Sequence, residues 1–167
     1  MSESGENAGT SYLYLNEVLW VTPGEWKSKA LELKNEYESL QVVTGVDYPG
    51  YIEVSYVLCS FFKNKELIVK LKLPKEAPLK VETVSDIWKA ANFQERECFD
   101  MMGVEFLHHP DLRRILCPDD WEGYPLRKDY VPAQFYQGIE LFPKEKMNLE
   151  EREFAQKQKL ARKSANA

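Results

Sequence analysis

Glu95, Glu97, Cys98, Asp100, His108, His109, Asp111, Cys117 and two basic pairs, Arg113-Arg114 and Arg127-Lys128, crowd into residues 95–130. These are the side-chain types of acid–base, thiol, metal and anion chemistry. A metal reading takes His108 and His109 with Asp111 and Cys117. Neighbours on an extended chain point to opposite sides, however, and no Cys-x-x-Cys spacing folds ligands together. His109 is therefore expected to hydrogen-bond locally or across an interface, and no metal is assigned. An acid–base reading takes Glu95, Glu97 and Asp100. Glu95 stands three residues after Asn92, the spacing of a helix cap, and Arg96 is one turn from Asp100, so structural roles account for them. Cys98 has only Arg96 as an activating neighbour, and no nucleophile elbow is present. The basic pairs lack a Gly-rich phosphate loop, and an arginine fork suits carboxylates on a partner. A partner interface is the leading reading. A free-standing metal- or thiol-dependent enzyme using His108, His109, Asp111 and Cys117 is its competitor from another class.

These groups need elements to hold them. Pro110, Pro118 and Pro125 forbid one continuous helix, while Asp119, Asp120 and Gly123 supply turns. Residues 104–147 thus read as an extended partner-binding segment whose hydrogen bonds lie on its own domain or on another chain. Before it, residues 12–103 read as one α+β domain with a mainly antiparallel sheet and helices packed on it. A strand is expected over 17–21. A helix follows, with Thr22 as N-cap, Pro23 at its first position and Glu25 closing a capping box. Its apolar stripe is Trp26, Ala30, Leu33 and Tyr37. Strands follow over 40–47, 51–62 and 67–73, the last alternating Leu67, Val69, Leu71 and Leu73 against Ile68, Lys70 and Lys72. A short helix to Ala91 and a second from N-cap Asn92 to Met102, stopped by Gly103, complete the domain. Trp26, Leu33, Val54, Val69 and Trp88 are the expected core. Residues 1–11 read as a disordered leader. Residues 148–167 read as a C-terminal helix or tail opened by Asn148 and Glu151.

Composition narrows the function. The chain has 167 residues, 44% hydrophobic, with a net charge of −5. That fits one globular domain and argues against a nucleic-acid binder, whose footprint is basic. No apolar run is long enough to span a bilayer, and the polar start carries no targeting signal, so the chain is expected to stay in a cytoplasm. Its 3 cysteines are scattered, which suits reduced thiols and provides no cluster-binding set.

Read in order, the run carries Glu95-Arg96-Glu97, then Asp100-Met101-Met102. Next come His109-Pro110-Asp111-Leu112-Arg113-Arg114-Ile115-Leu116, then Pro118, Asp120, Trp121 and Gly123, then Pro125-Leu126-Arg127-Lys128-Asp129. This succession resembles the signature of the 30 kDa subunit, lettered C, of the proton-pumping NADH:quinone oxidoreductase (respiratory complex I, NDH-1). One departure stands at His108, where the family often has Gly, a residue that enters left-handed backbone freely. The resemblance implies a non-catalytic core subunit of the hydrophilic arm. No cofactor is expected in this chain; FMN and the iron–sulfur clusters belong to partner subunits. It implies packing among subunits D, B and I, on the cytoplasmic side of the cell's inner membrane as a peripheral component. Partner contacts are then expected at Glu95, Arg96, His109, Asp111, Arg113, Arg114, Trp121, Arg127, Lys128 and Asp129. A ferredoxin-linked or hydrogenase-type relative of complex I is the alternative within this class.

Overall fold

The structure is a computed structural model that describes residues 17–141. The expected leader over 1–11 and the helix over 148–167 lie outside the described residues. Two compact units are present, one ending at Tyr130 and one beginning at Val131.

The first unit is α+β. Strand β1 (Glu17–Val21) leads to helix α1 (Trp26–Lys34), then to β2 (Ser39–Tyr48), β3 (Tyr51–Ser60) and β4 (Lys65–Pro74). These strands form a 4-stranded sheet in the order β1-β4-β3-β2. The β2–β3 and β3–β4 pairs are antiparallel, while β1 joins β4 in parallel, with Leu19 opposite Val69. Strand β5 (Lys80–Glu82), helix α2 (Ala91–Met102) and strand β6 (Glu105–Leu107) follow, β5 and β6 pairing in parallel. In the second unit, β7 (Phe135–Tyr136) and β8 (Ile139–Glu140) make a small antiparallel hairpin.

The alternation of β4 is realised. Leu67, Val69, Leu71 and Leu73 are buried, and they join Ile52, Val54, Tyr56 and Leu58 of β3 in one core. Trp26 and Ala30 of α1 and Ala91, Cys98 and Met102 of α2 belong to the same core. Elements meeting this closely require shape as well as apolarity. At Gly45 of β2 even a Cβ would lie 3.0 Å from Cys98 Sγ and from Met102 Cγ. That glycine lets α2 lie directly on the sheet, and Gln94 of α2 then donates to the Gln41 carbonyl and accepts from the Val43 N–H of β2.

Several local expectations are corrected. Helix α1 starts at Trp26 rather than after Thr22, because Thr22 Oγ1 donates to Glu25 Oε2 at 2.6 Å and the backbone closes a turn from Glu25 N to Thr22 O. The short helix before Ala91 is absent; residues 85–90 form turns, including Trp88 N to Val84 O at 2.8 Å. Helix α2 begins at Ala91 with no side-chain cap from Asn92, since Glu95 reaches away from the helix to the Val84 N–H at 2.9 Å. Leu33 is half-buried, whereas Trp26, Val54, Val69 and Trp88 are buried as expected. Residues 104–130 of the expected extended segment lie in the α+β unit, and 142–147 lie outside the described residues.

Candidate partner interface: a segment folded over the end of helix α2

A helix ends with carbonyls that have no partner within it. Gly103 closes α2 in the left-handed region at φ 72°, its N–H bonding Phe99 O at 2.8 Å. The next three carbonyls are taken by the downstream segment. Asp100 O accepts from Arg114 Nη1 at 3.2 Å, Met101 O from Leu126 N at 3.1 Å, and Met102 O from Arg127 Nε at 2.6 Å. Two guanidiniums at the negative end of the helix dipole also suit its charge. Both guanidiniums lie over the ring of Tyr124, at 5.4 Å for Arg114 and 4.6 Å for Arg127. Room for that ring depends on Gly103, where a Cβ would sit 2.5 Å from Tyr124 Cε2.

Asp100 is the second fixing point. It is fully buried, and its Oδ2 accepts the N–H groups of Ile115 (3.0 Å), Leu116 (2.7 Å) and Cys117 (2.8 Å). Its Oδ1 meets Arg114 Nη1 at 2.7 Å. Burial pushes this carboxyl up, but the Cys117 and Leu116 N–H groups, the Arg114 guanidinium and the Ile115 N–H outweigh it and hold the acid below its ordinary value. Arg96 was expected to reach Asp100 and does not. It turns to the segment instead, with Nη1 3.4 Å from Asp111 Oδ2 and Nε donating to Arg113 O at 3.3 Å. Asp100 is already surrounded by the segment's backbone, which leaves Arg96 to the next available acceptor.

His109 and Glu95 form the third. The His109 side chain is buried; its Nδ1 accepts from Asp111 N at 3.1 Å and its Nε2 donates to Asn92 O at 3.1 Å. Those partners fix a neutral tautomer, and desolvation pushes its pKa down. Glu95 Oε2 lies 3.9 Å from Nε2 and also meets the Thr83 hydroxyl. Burial, offset only in part by Thr83 and Val84, raises the Glu95 carboxyl to about 7. His108, with φ 61°, is in the left-handed region that glycine enters most freely, and its Nδ1 sits 2.9 Å from Glu82 Oε2.

The expected interface residues therefore separate. Glu95, Arg96, His109, Arg114 and Arg127 are engaged within the chain, and Asp111 pairs with Arg96 and with Arg113 Nε at 2.9 Å. Arg113, Lys128 and Asp129 face solvent, and Trp121 is half-buried. Lys128 is held by its backbone N–H, which donates to Asp47 Oδ2 at 2.8 Å. Beside the exposed charges stand exposed Leu116 and Leu126, which charge-based reading passed over. Tyr124, Thr83 and Asp47 were also missed. Their partners are distant in sequence, so no local spacing announces them.

This geometry does not favour a metal or thiol enzyme. Both ring nitrogens of His109 are occupied by backbone groups, and His108 points to Glu82. Burial and the nearby Glu95 raise the Cys98 thiol to about 12, and burial also raises Cys117, the opposite of an activated thiolate.

The first unit is thus a small α+β body with a charge-rich segment folded over its main helix. The chain belongs to the family described as the respiratory-chain NADH dehydrogenase, 30 Kd subunit, whose model matches residues 19–136. It is similar to the NADH-quinone oxidoreductase subunit lettered C of Chloroherpeton thalassium, with 41% identity over 70% of this chain and 50% of that protein. The chain thus spans half the length of that relative. It is also similar to the same subunit of Moorella thermoacetica (49% identity, 60% of this chain, 68% of that one). With the chloroplastic NAD(P)H-quinone oxidoreductase subunit J of Chaetosphaeridium globosum it shares 40% identity over 72% of this chain and 76% of that one. Among solved structures, it resembles Nqo5 in its trypsin-resistant fragment (TM-score 0.53, 28% identity, 57% of this chain and 81% of that one). It also resembles a chain of the membrane-bound sulfane sulfur reductase, an archaeal respiratory membrane complex (TM-score 0.62, 28% identity, 68% and 71%).

Proposed function

We propose that this chain is a core subunit of the hydrophilic arm of a proton-translocating NADH:quinone oxidoreductase. It supports electron transfer to quinone by scaffolding its neighbours and performs no redox step itself. The observation that carries this reading is the family match across residues 19–136, which includes the whole segment over α2. In support, Arg113, Arg114, Arg127, His109 and Asp111 bind one another, residues of α2 or the backbone, which is scaffold chemistry rather than catalytic chemistry. FMN and iron–sulfur clusters belong to partner subunits, and subunits D, B and I are the proposed neighbours. No described helix is long and apolar enough to cross a membrane. Attachment to the cytoplasmic side of the inner membrane is proposed to come through those neighbours.

The test is complementation of a deletion strain with Arg127→Ala, followed by size fractionation of gently solubilised membranes and a quinone reductase assay. Loss of turnover should track loss of the large assembly. Full assembly with lost turnover would overturn the scaffold reading. A second reading places the chain in a ferredoxin-linked or related complex. It is favoured by the likeness to a chain of the sulfane sulfur reductase, a respiratory membrane complex named for a reaction other than NADH oxidation. Turnover of the purified assembly with NADH or with reduced ferredoxin decides between the two.

A further inference from the structure

The β3–β4 hairpin carries Phe61 and Phe62 at its tip, 68% and 93% exposed. Turn tips are ordinarily polar, and a phenyl ring left in water forgoes its hydrophobic gain. These rings are also held in place. Glu38, in the connection between α1 and β2, accepts the N–H groups of Phe61 (2.6 Å) and Phe62 (3.3 Å) and the Ser60 hydroxyl (3.1 Å). Glu36 of the same connection pairs with Lys63 at 2.8 Å. The tip is thus tied to the body of the domain from one side while both rings remain outside the core. Pre-ordering of this kind lowers the entropy lost on binding, and aromatic anchors dominate interface energetics.

A lipid surface fits poorly. Glu36, Glu38 and Glu66 oppose Lys63 and Lys65 around the tip, and the chain carries a net charge of −5, whereas anionic membranes attract basic clusters. A second copy would bring that same net charge against itself. A protein surface fits better. About 10 Å back along the hairpin, the outward side of the sheet carries a row in register, Val18, Ile68, Val57 and Val42. Val18 and Val42 in that row are exposed. Two exposed rings at the tip and an exposed β-branched row on the same sheet suit a partner with an apolar pocket and an apolar rim.

We propose that Phe61 and Phe62 anchor this chain in an apolar pocket of a neighbouring subunit of its respiratory assembly, an inference that rests on the function proposed above. The test expresses tagged wild type, Phe61→Ser/Phe62→Ser and Glu38→Gln in the deletion strain and quantifies each in the purified assembly. The aromatic double variant should fall at least tenfold in incorporation, about 1.4 kcal/mol, with its circular dichroism spectrum and melting temperature unchanged as an isolated chain. Glu38→Gln should fall less, because the rings remain but are looser. Equal incorporation of wild type and double variant overturns the inference. Failure of wild type itself to join an assembly overturns the functional reading instead. Phe-dependent binding of the wild-type chain to phosphatidylglycerol vesicles, or Phe-dependent dimerisation in sedimentation, would assign the tip to lipid or to a second copy and would also overturn it.

Discussion

Replacing Asp100 by Asn keeps the shape of the side chain and removes its charge. The amide has one oxygen where the carboxylate has two. If that oxygen keeps the N–H groups of Ile115, Leu116 and Cys117, the amide NH2 faces Arg114 Nη1, donor against donor, where 2.7 Å now separates opposite charges. Breaking a buried ion pair costs about 3–5 kcal/mol. Arg114 is 14% exposed and keeps some water, so the low end applies. The expected loss is about 3 kcal/mol, which lowers the melting temperature by about 10 °C for a domain of this size. The pH dependence adds an independent signature. The folded carboxyl lies below its ordinary value. Its contribution is therefore present above the unfolded pKa of about 3.9 and is lost as pH falls through the folded value. Wild type should thus lose stability below about pH 4 more steeply than Asp100→Asn. Urea titrations at pH 7 and pH 3.5, with amide exchange at Ile115, Leu116 and Cys117, make the measurement. A loss under about 1 kcal/mol at pH 7, or unchanged exchange at those amides, would refute the view that Asp100 fixes the segment.

Gly103→Ala should cost about 3 kcal/mol in chemical denaturation, combining left-handed strain with displacement of Tyr124 and Arg127. His108→Gly should be neutral within about 0.5 kcal/mol, since relief at φ 61° is offset by a freer unfolded chain. His108→Val should cost about 2 kcal/mol, because β-branching makes that backbone worse. Glu95→Gln tests the buried acid. Its folded pKa, raised to about 7, means the wild-type contribution is full below the unfolded value and is lost as pH rises through 7. The variant should therefore match wild type near pH 4, below the unfolded value, and exceed it by about 3 kcal/mol near pH 8, read as a difference in denaturation midpoints.

The strands and the end of α2 were legible because their signals are local. Alternation in β4 and the glycine after Met102 act within a few residues. The start of α1 was not. Thr22 and Glu25 have the right spacing for a capping box, yet their side chains satisfy each other, and spacing cannot rank those two outcomes. Glu95 fails as a cap for a similar reason. Its carboxyl is drawn to Val84 and Thr83, which approach only after β5 and α2 have packed. The candidate site was visible as a dense run of charge. The division between inward and outward charge was not, because the partners of Arg96, Arg114 and Arg127 are set by where the chain crosses α2.

That division changes how the run produces function. From sequence, Arg114 and Arg127 suit carboxylates on the domain's own helix or on another protein; Arg114 meets Asp100, and both close on carbonyls at the end of α2. Removing either loosens the segment before it touches any partner. The residues left facing solvent are Arg113, Lys128 and Asp129 with Leu116 and Leu126, on a backbone that the inner groups hold. Inner and outer residues should fail in different ways. Arg127→Ala should lower the melting temperature of the isolated chain and its assembly together. Lys128→Ala or Leu126→Ser should spare the isolated chain and weaken assembly alone. Equal thermal loss from both groups would mean that the outer residues are structural too, and the partner surface would then have to lie on another face of the domain.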